Sequence, residues 1–423
     1  MKALLINPWI ADFAAYNFWI RPLGLYRLAS WLDTFGIDVS IIDCLSPFDA
    51  PGKLRRKIVT NPPFNLPIPM DRSFARYGIS KKEFRQRLHG VGSFDVVFIT
   101  SIMSYWYLGI KWVIDELKRY SHDIPIILGG IYATLWSEHA QKELGVDFVC
   151  KGPLEINQDK LKSFLGLYNE IRHARPWYEI LPWDFVNYGA VRTALGCPFS
   201  CTYCASKILT GGFNPLDTKD VINELLFYHL KGVRQIAFYD DALLVDFEKR
   251  LLPILSFLNK KQILFEFHTP NGLHARLINE KVAKWLVRSN FRTIRLSLET
   301  ISRNRQKITG GKVSNEEFKE AVNLLLKAGM PSENIGVYLL IGLPGQDLEE
   351  VYESIIFVKK LGIRPYLAEF SPIPGTVEWQ HLEKMHLVSK DMDPIFTNNT
   401  LFFRIYSNYD MERFNSLKRL ARS

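Results

Sequence analysis

The sequence predicts an α/β protein in two parts. The first is a doubly wound parallel sheet of the Rossmann or flavodoxin kind. The second is a partial (β/α)6 barrel of the triosephosphate isomerase type. Three observations predict this. Short apolar runs alternate with helical periodicity along most of the chain. Those runs are continuously apolar rather than alternating, as in sheets covered on both faces. A stretch at 157–187, with Pro176-Trp177 and Pro182-Trp183, interrupts the series and reads as a linker.

In the first part, Lys2 to Ile6 reads as a strand, and Pro22 to Phe35 as a helix ending at Gly36. Strands are expected at 39–42, 95–100, 124–128 and 146–150, with helices at 110–119 and 135–144. A basic insertion at 46–92 separates the second and third strands and reads as loops and a helix. This gives a domain over 1–156. The second series, 188–376, begins with a strand at 190–195. Strands follow at 235–239, 263–268, 293–298, 336–341 and 366–370, and the intervening helices include 218–231, 246–259, 279–288, 314–328 and 347–361. Residues 377–423 form an extension expected to close the open side of the barrel. In such barrels, chemistry sits at the carboxyl ends of the strands.

Composition narrows the function. Of 423 residues, 47% are hydrophobic and 23% charged, ordinary values for a globular chain. No apolar run reaches the length of a membrane span. The start, Met1 to Pro8, is too short and broken for a secretory signal and reads as a buried strand. Five cysteines in so long a chain argue against a disulfide framework, so a cytoplasmic location and no membrane partner are expected. The net charge is +9, and residues 53–87 hold ten cations against two anions, a local +8. Such a patch suits nucleic acid or an acidic partner. With few aromatics and no RNA-binding motif, a solvated insertion is the favoured reading.

The most informative motif is Cys197, Cys201 and Cys204, a C-x3-C-x2-C loop that follows the first barrel strand. Three thiolates suit an iron–sulfur cluster with one iron open to another ligand. A structural zinc site wants four ligands, and His173 and His229 stand too far away to help. A thioredoxin-type pair would leave Cys197 without a role.

The spacing, with Tyr203 before the third cysteine, resembles the radical SAM superfamily. The resemblance implies a [4Fe-4S] cluster on Cys197, Cys201 and Cys204. It also implies S-adenosylmethionine on the open iron, and one-electron cleavage to a 5′-deoxyadenosyl radical. It extends along the other strand ends. Asp240 or Asp241 resembles the residue that holds the methionine amine, with the choice between them open. Asn271 hydrogen-bonds into the cavity. Glu299 resembles the residue that contacts ribose or methionine, and Lys307 or Lys312 is available for the methionine carboxylate. The run Gly336 to Gly345, with Ile341 and Gly342, resembles the strand that packs on adenine, and Pro374-Gly375 the last turn. An electron donor such as flavodoxin or ferredoxin is implied, with a small molecule or peptide as substrate.

The N-terminal part is similar to the cobalamin-binding domain fused to many radical SAM proteins. The matching residues include Ser101, Gly129 and Gly130, which line the cofactor's nucleotide tail in that family. The D-x-H-x-x-G motif is missing, and His89 is the first histidine, so histidine-ligated cobalamin is not expected. Cobalamin held without that ligand, and a domain that merely caps the barrel, both stay open. With cobalamin the expected outcome is methylation of an unactivated carbon. Without it, rearrangement, cyclisation or oxidation is expected. Cys44 and Cys150 are too few for the second cluster of methylthiotransferases, and no cysteine follows Cys204. A non-enzymatic iron–sulfur or RNA-binding protein is the distant alternative.

Overall fold

A computed structural model describes residues 1–15, 19, 21–46, 54–68, 70, 72–182, 188–406 and 410–423. Trp183 of the expected linker and Lys53 and Asp71 of the basic insertion lie outside them. The chain forms two compact units. Unit 1 is Met1–Val186 with Lys390–Asn398, and unit 2 is Asn187–Ser389 with Asn399–Ser423.

The strands of unit 1 are β1 (Lys2–Asn7), β2 (Ile10–Asp12), β3 (Asp38–Asp43), β4 (Arg56–Ile58), β5 (Ala75–Tyr77), β6 (Val96–Ile99), β7 (Ile126–Leu128) and β8 (Phe148–Val149). Its helices are α1 (Leu23–Asp33), α2 (Lys81–Val91), α3 (Tyr107–Tyr120), α4 (Ile131–Leu135), α5 (Ser137–Leu144), α6 (Leu154–Leu165) and α7 (Trp177–Ile180). The main sheet is parallel, in the order β3-β1-β6-β7-β8. This is the flavodoxin-like order, with its switch point between β1 and β6. Leu4, Leu5, Ile6 and Val97 are fully buried, as a sheet covered on both faces requires.

The insertion holds more than loops and a helix. β4 and β5 join β2 in a small antiparallel sheet. Strands of three residues are too short to show periodicity in sequence. Four of its cations, Arg55, Lys81, Arg85 and Arg87, are in ion pairs. Glu116, whose side chain is 1% exposed, draws in Lys81, Arg85 and Arg119, while Glu83 holds Arg55 and Arg87.

The stretch after residue 157 is not a bare linker. α6 runs through its start, and Trp177 stacks on Tyr26 with ring centroids 4.2 Å apart. Asp33, almost wholly buried, pairs with Arg172 and Arg175. The contacts are single ones, a ring stack and two ion pairs, so no periodic pattern marked the packing. The extension also divides. Within unit 1, Asn398 donates to Asp12 at 2.9 Å, and the Tyr107 hydroxyl donates to Asp393 at 2.8 Å.

Unit 2 contains β9 (Tyr188–Val191), β10 (Ala194–Leu195), β11 (Asn214–Pro215), β12 (Gln235–Phe238), β13 (Glu266–His268), β14 (Leu273–His274), β15 (Phe291–Glu299), β16 (Ile335–Ile341) and β17 (Arg364–Glu369). Its helices are α8 (Ser206–Thr210), α9 (Thr218–Leu230), α10 (Leu251–Lys260), α11 (Glu280–Arg288), α12 (Arg303–Ile308), α13 (Asn315–Lys327), α14 (Leu348–Lys360), α15 (Val377–Lys384), α16 (Phe402–Tyr406) and α17 (Met411–Arg422). Six parallel strands run in the order β9-β12-β13-β15-β16-β17, with β14 beside the upper half of β15. α10 starts at Leu251, later than expected, because residues 242–250 form turns first. α17 packs on α14 and on the edge strand β17, where Lys418 pairs with Glu369.

Two glycines test the packing of unit 1. Gly90, in α2, has nothing within 4 Å of a built Cβ, whereas a Cβ at Gly109, in α3, would lie 1.9 Å from the Trp9 carbonyl oxygen. Gly90→Ala should therefore stabilise by about 0.5 kcal/mol through helix propensity. Gly109→Ala should destabilise by about 2 kcal/mol or more through overpacking. Thermal and denaturant unfolding measure both.

Candidate active site

The cysteine loop is built from its base upward. β10 and β11 pair as a short antiparallel ladder, and residues 196–213 project between them. Gly196 starts the loop at φ 74°, where a Cβ would lie 1.9 Å from the Gly212 carbonyl oxygen. Only glycine fits there. A second loop backs it. Thr202 N–H donates to Thr309 O at 3.2 Å, and a Cβ at Gly310 would press 2.8 Å from Ser200 O.

The structure separates the two aspartates. Asp240 is wholly internal. Its carboxylate accepts from Thr193 N–H and O–H, from Ala194 N–H at 2.9 Å and from Arg250 Nη2 at 3.0 Å. Arg250 also donates to the Thr193 hydroxyl and, at 2.6 Å, to Val245 O. Asp240 thus fixes the chain entering the cysteine loop. Asp241 is exposed and turns towards the thiols, accepting from Ser206 Oγ at 2.6 Å. Ser206 N–H in turn points at Cys204 Sγ, 3.5 Å away.

Glu299 stands at φ 68°, the left-handed region that side chains avoid at a cost of about 1–2 kcal/mol. The β15–β16 register shifts between Ser297 and Glu299. The irregularity aims Glu299 at Lys312, 3.0 Å away, where both side chains are nearly buried. Burial works against the Lys312 charge, but Glu299 and the Cys201 thiol hold its pKa above the ordinary value. Tyr203 is pushed up by burial, then by Glu299 and Cys201, beside which it lies. Burial pushes up the Cys197 thiol, and Cys201 and Asp241 push it further, while Lys312 opposes them. Cys197, Cys201, Cys204, Tyr203, Asp241, Glu299 and Lys312 therefore share one electrostatic environment.

The other predicted residues frame it. Asn271 donates to the Tyr239 and Asp240 carbonyls at 3.3 and 3.2 Å, a brace between strand ends. Gly342, at φ 94°, donates to Gln346 Oε1 at 3.0 Å, and Gln346 returns a bond to Leu340 O. Ile341 is fully buried, and Phe403 covers Gly342. The Pro374 turn leads to α15, where Glu378 N–H donates to Thr202 O and the Thr202 hydroxyl donates to Glu378 Oε1 at 2.7 Å. Lys307 shows no such link, since it sits on the exposed side of α12. His274 is a residue that sequence reasoning missed. It packs 4.3 Å from Phe199, whose ring also lies under Arg276. A lone histidine in an apolar stretch gave no signal.

Among the described residues no three His, Cys, Asp or Glu side chains converge on a single ion. The donor set nevertheless fits a cubane cluster, which takes one thiolate at each of three corners. The three cysteines sit in one loop, two of them coupled to Cys201, with an N–H aimed at one sulfur. Cobalamin fits less well. Ser101 Oγ is engaged within unit 1, donating to Gly129 O at 2.7 Å and accepting from Tyr132 N–H. A Cβ on Gly130 would strike Ser101 at 2.3 Å, so that glycine serves close packing of the two loops. At the switch point, Trp9, Leu45, Met103 and Trp106 leave a cavity of about 10 Å³, room for one water. The described residues of this crevice do not fit a nucleotide tail as they stand.

Comparisons with known proteins agree with the barrel. Residues 191–358 match the family model described as the Radical SAM superfamily. Unit 2 is thus a radical SAM domain. The chain is 28% identical over 325 residues to the uncharacterized methyltransferase PH0819 of Pyrococcus horikoshii, covering 68% of this chain and 69% of that one. It is 27% identical over 240 residues to the ribosomal protein uS12 methylthiotransferase RimO of Carboxydothermus hydrogenoformans, and spans 53% of that protein. Among solved structures, the radical SAM methyltransferase TsrM of Kitasatospora setae is similar with a TM-score of 0.69 at 15% identity, covering 91% of this chain and 76% of that one. The cobalamin-dependent enzyme OxsB is similar with a TM-score of 0.60 at 14% identity, covering 91% of this chain and 55% of that one. The chain thus carries a radical SAM domain in unit 2, a superfamily that implies a [4Fe-4S] cluster and S-adenosylmethionine, and its fold is similar to that of TsrM and OxsB. Among the described residues, no helix is long and apolar enough to cross a membrane.

Two outcomes follow from this geometry. Asp240→Ala would strand Arg250 without its counter-ion and should cost about 3–5 kcal/mol, read by denaturant unfolding. His268 and His274 are held well below the ordinary histidine value, to about 4 and about 3, by burial first and then by neighbouring cations. Neutral in the folded state, they must gain protons on unfolding in acid. Stability should be complete above pH ~6.5 and fall as pH drops towards 4, by about 1 kcal/mol per pH unit for each histidine. NMR of labelled histidines should show neither ring titrating between about pH 5.5 and 8.

Proposed function

We propose that this enzyme cleaves S-adenosylmethionine reductively and uses the 5′-deoxyadenosyl radical to abstract hydrogen from an unactivated carbon. The observation that carries the reading is the convergence of Asp241, Glu299 and Lys312 on the three-cysteine loop. When bound, a [4Fe-4S] cluster offers its open iron to the methionine moiety and one electron to the sulfonium, yielding methionine and the radical. Cys197, Cys201 and Cys204 would hold that cluster. Asp241 would receive the methionine ammonium, a charge-assisted contact for which its exposed carboxylate is free to turn. Lys312 would meet the methionine carboxylate, with Glu299 keeping it charged and itself reaching the ribose hydroxyls. The Gly342 and Pro374 turns would flank adenine. The electron would come from a low-potential donor such as flavodoxin or ferredoxin.

A second reading, methyl transfer to the activated carbon, is supported by the methyltransferase names of relatives and by the strand order of unit 1. It needs cobalamin, and the closed crevice behind Trp9 and Trp106 speaks for the cobalamin-independent outcome. A tRNA or ribosomal-protein substrate is suggested by methylthiotransferase relatives, but in the insertion Arg55, Lys81, Arg85 and Arg87 are already held by Glu83 and Glu116.

Anaerobically reconstituted enzyme with dithionite should form 5′-deoxyadenosine, and Cys201→Ala should form none. Asp241→Asn and Lys312→Met should each lower the rate about 10- to 1,000-fold while the cluster absorbance persists. A fully loaded cluster without product would defeat the proposal. After incubation with hydroxocobalamin and desalting, the protein should keep no corrin absorbance. Stoichiometric retention would restore methyl transfer as the leading reading.

A further inference from the structure

The barrel lumen of unit 2 holds a guanidinium, Arg295, that has no ion-pair partner among the described residues. Burial identifies the lumen. Along β16 the residues facing the helices, Val337, Leu339 and Ile341, are fully buried, while the alternate residues Tyr338 and Leu340 are partly open. β17 is the edge strand and is partly open from Tyr366 through Glu369, so there the register sets the face, with Tyr366 paired to Tyr338. Side chains alternate across a strand, so the open set faces inward onto accessible space.

Two arginines share that inner face. Arg295 shares the β15 face of Ser297, which pairs with Tyr338, and its guanidinium lies 4.4 Å from the centre of the Tyr366 ring. Its hydrogen bonds are long, 3.4 Å to the Tyr366 hydroxyl and 3.4 Å to Ile294 O. Gly336 makes the seat, since a Cβ there would lie 2.7 Å from Arg295 Nη1 and 2.6 Å from Tyr366. Arg192 follows β9 and acts on the Tyr239 hydroxyl and, behind Arg250, on the Asp240 carboxylate. Both arginines are partly buried, and neither has an ion-pair partner among the described residues. The nearby carboxylates are taken, Asp240 by Arg250, Glu299 by Lys312 and Glu369 by Lys418. His268, on the adjoining strand, is neutral and bonds Thr293 at 3.0 Å. A half-buried guanidinium without a counter-ion favours an anion, and the surrounding tyrosines favour an apolar or aromatic body.

We infer that the lumen binds a substrate with a carboxylate or phosphate at one end and an apolar or aromatic body at the other. The anionic end sits on Arg295 between Tyr338 and Tyr366, with Arg192 contributing charge, and the C–H-bearing end faces the cysteine loop. The inference rests on the proposed radical chemistry for its meaning as a substrate site, but its binding is measurable without turnover.

The test is 19F NMR titration of the cluster-loaded protein with S-adenosylmethionine present. The probes are 4-fluorophenylacetate, 4-fluorophenyl phosphate and, as a cation of similar size, 4-fluorobenzylamine. The expected result is saturable broadening of one or both anions and none of the amine, and the tighter anion names the head group. Arg295→Met should weaken anion binding at least about tenfold, and Arg295→Lys should restore part of it. Equal binding of amine and anions, no anion binding, or unchanged affinity in Arg295→Met would overturn the inference. Should Arg295→Met fail to fold, the anion–amine comparison on the wild-type protein decides alone. Anion-selective binding in a protein that forms no 5′-deoxyadenosine would keep the lumen assignment and remove the proposed chemistry.

Discussion

The site depends on one buried ion pair. Asp240 and Arg250 lie almost fully inside unit 2, and the carboxylate also gathers the Thr193 and Ala194 amides. Those amides belong to the last residues before the cysteine loop. With four donors in place, the carboxylate holds strand β9, strand β12 and the loop base in one geometry. Removing one partner of such a pair leaves an uncompensated charge in a poorly polarisable interior, so the arrangement tolerates little drift. The neighbouring Asp241 owes its freedom to this division of labour. One aspartate builds the entry to the loop, and the other is left to face the thiols.

A second constraint acts on the opposite rim. The left-handed Glu299 stores backbone strain where β15 and β16 lose register, and the Lys312 contact offsets part of it. The loop carrying Lys312 also carries Gly310, which lets the chain lie against Ser200 and Cys201. Strand end, glycine turn and cysteine loop thus fix one another, which suits chemistry that must keep water and oxygen from a reactive radical.

Much of this was legible in the sequence. The cysteine spacing, the strand-ending acids and the Gly336 to Gly345 run are local patterns, and local patterns survive without coordinates. What escaped was set by long-range packing. Nothing in Asp240-Asp241 says which carboxylate meets Arg250, ten residues on. Burial, not residue type, separates Lys312 from Lys307. The three-residue strands of the insertion are shorter than any period, and the docking of Trp177 on Tyr26 depends on single contacts rather than a repeating face. In unit 1 the motif glycine Gly130 and Ser101 proved to pack against each other.

Unit 1 is continuous in space but not along the chain. Asp12, buried and bonded to Trp106 Nε1 at 2.6 Å, takes its other partner from Asn398. Synthesis proceeds from the N-terminus, so residues 1–186 of unit 1 emerge from the ribosome before unit 2 and carry this carboxylate without Asn398 until the barrel strands have been made. Unit 1 therefore begins folding before unit 2 and finishes only with residues 390–398, which ties its completion to that of the barrel.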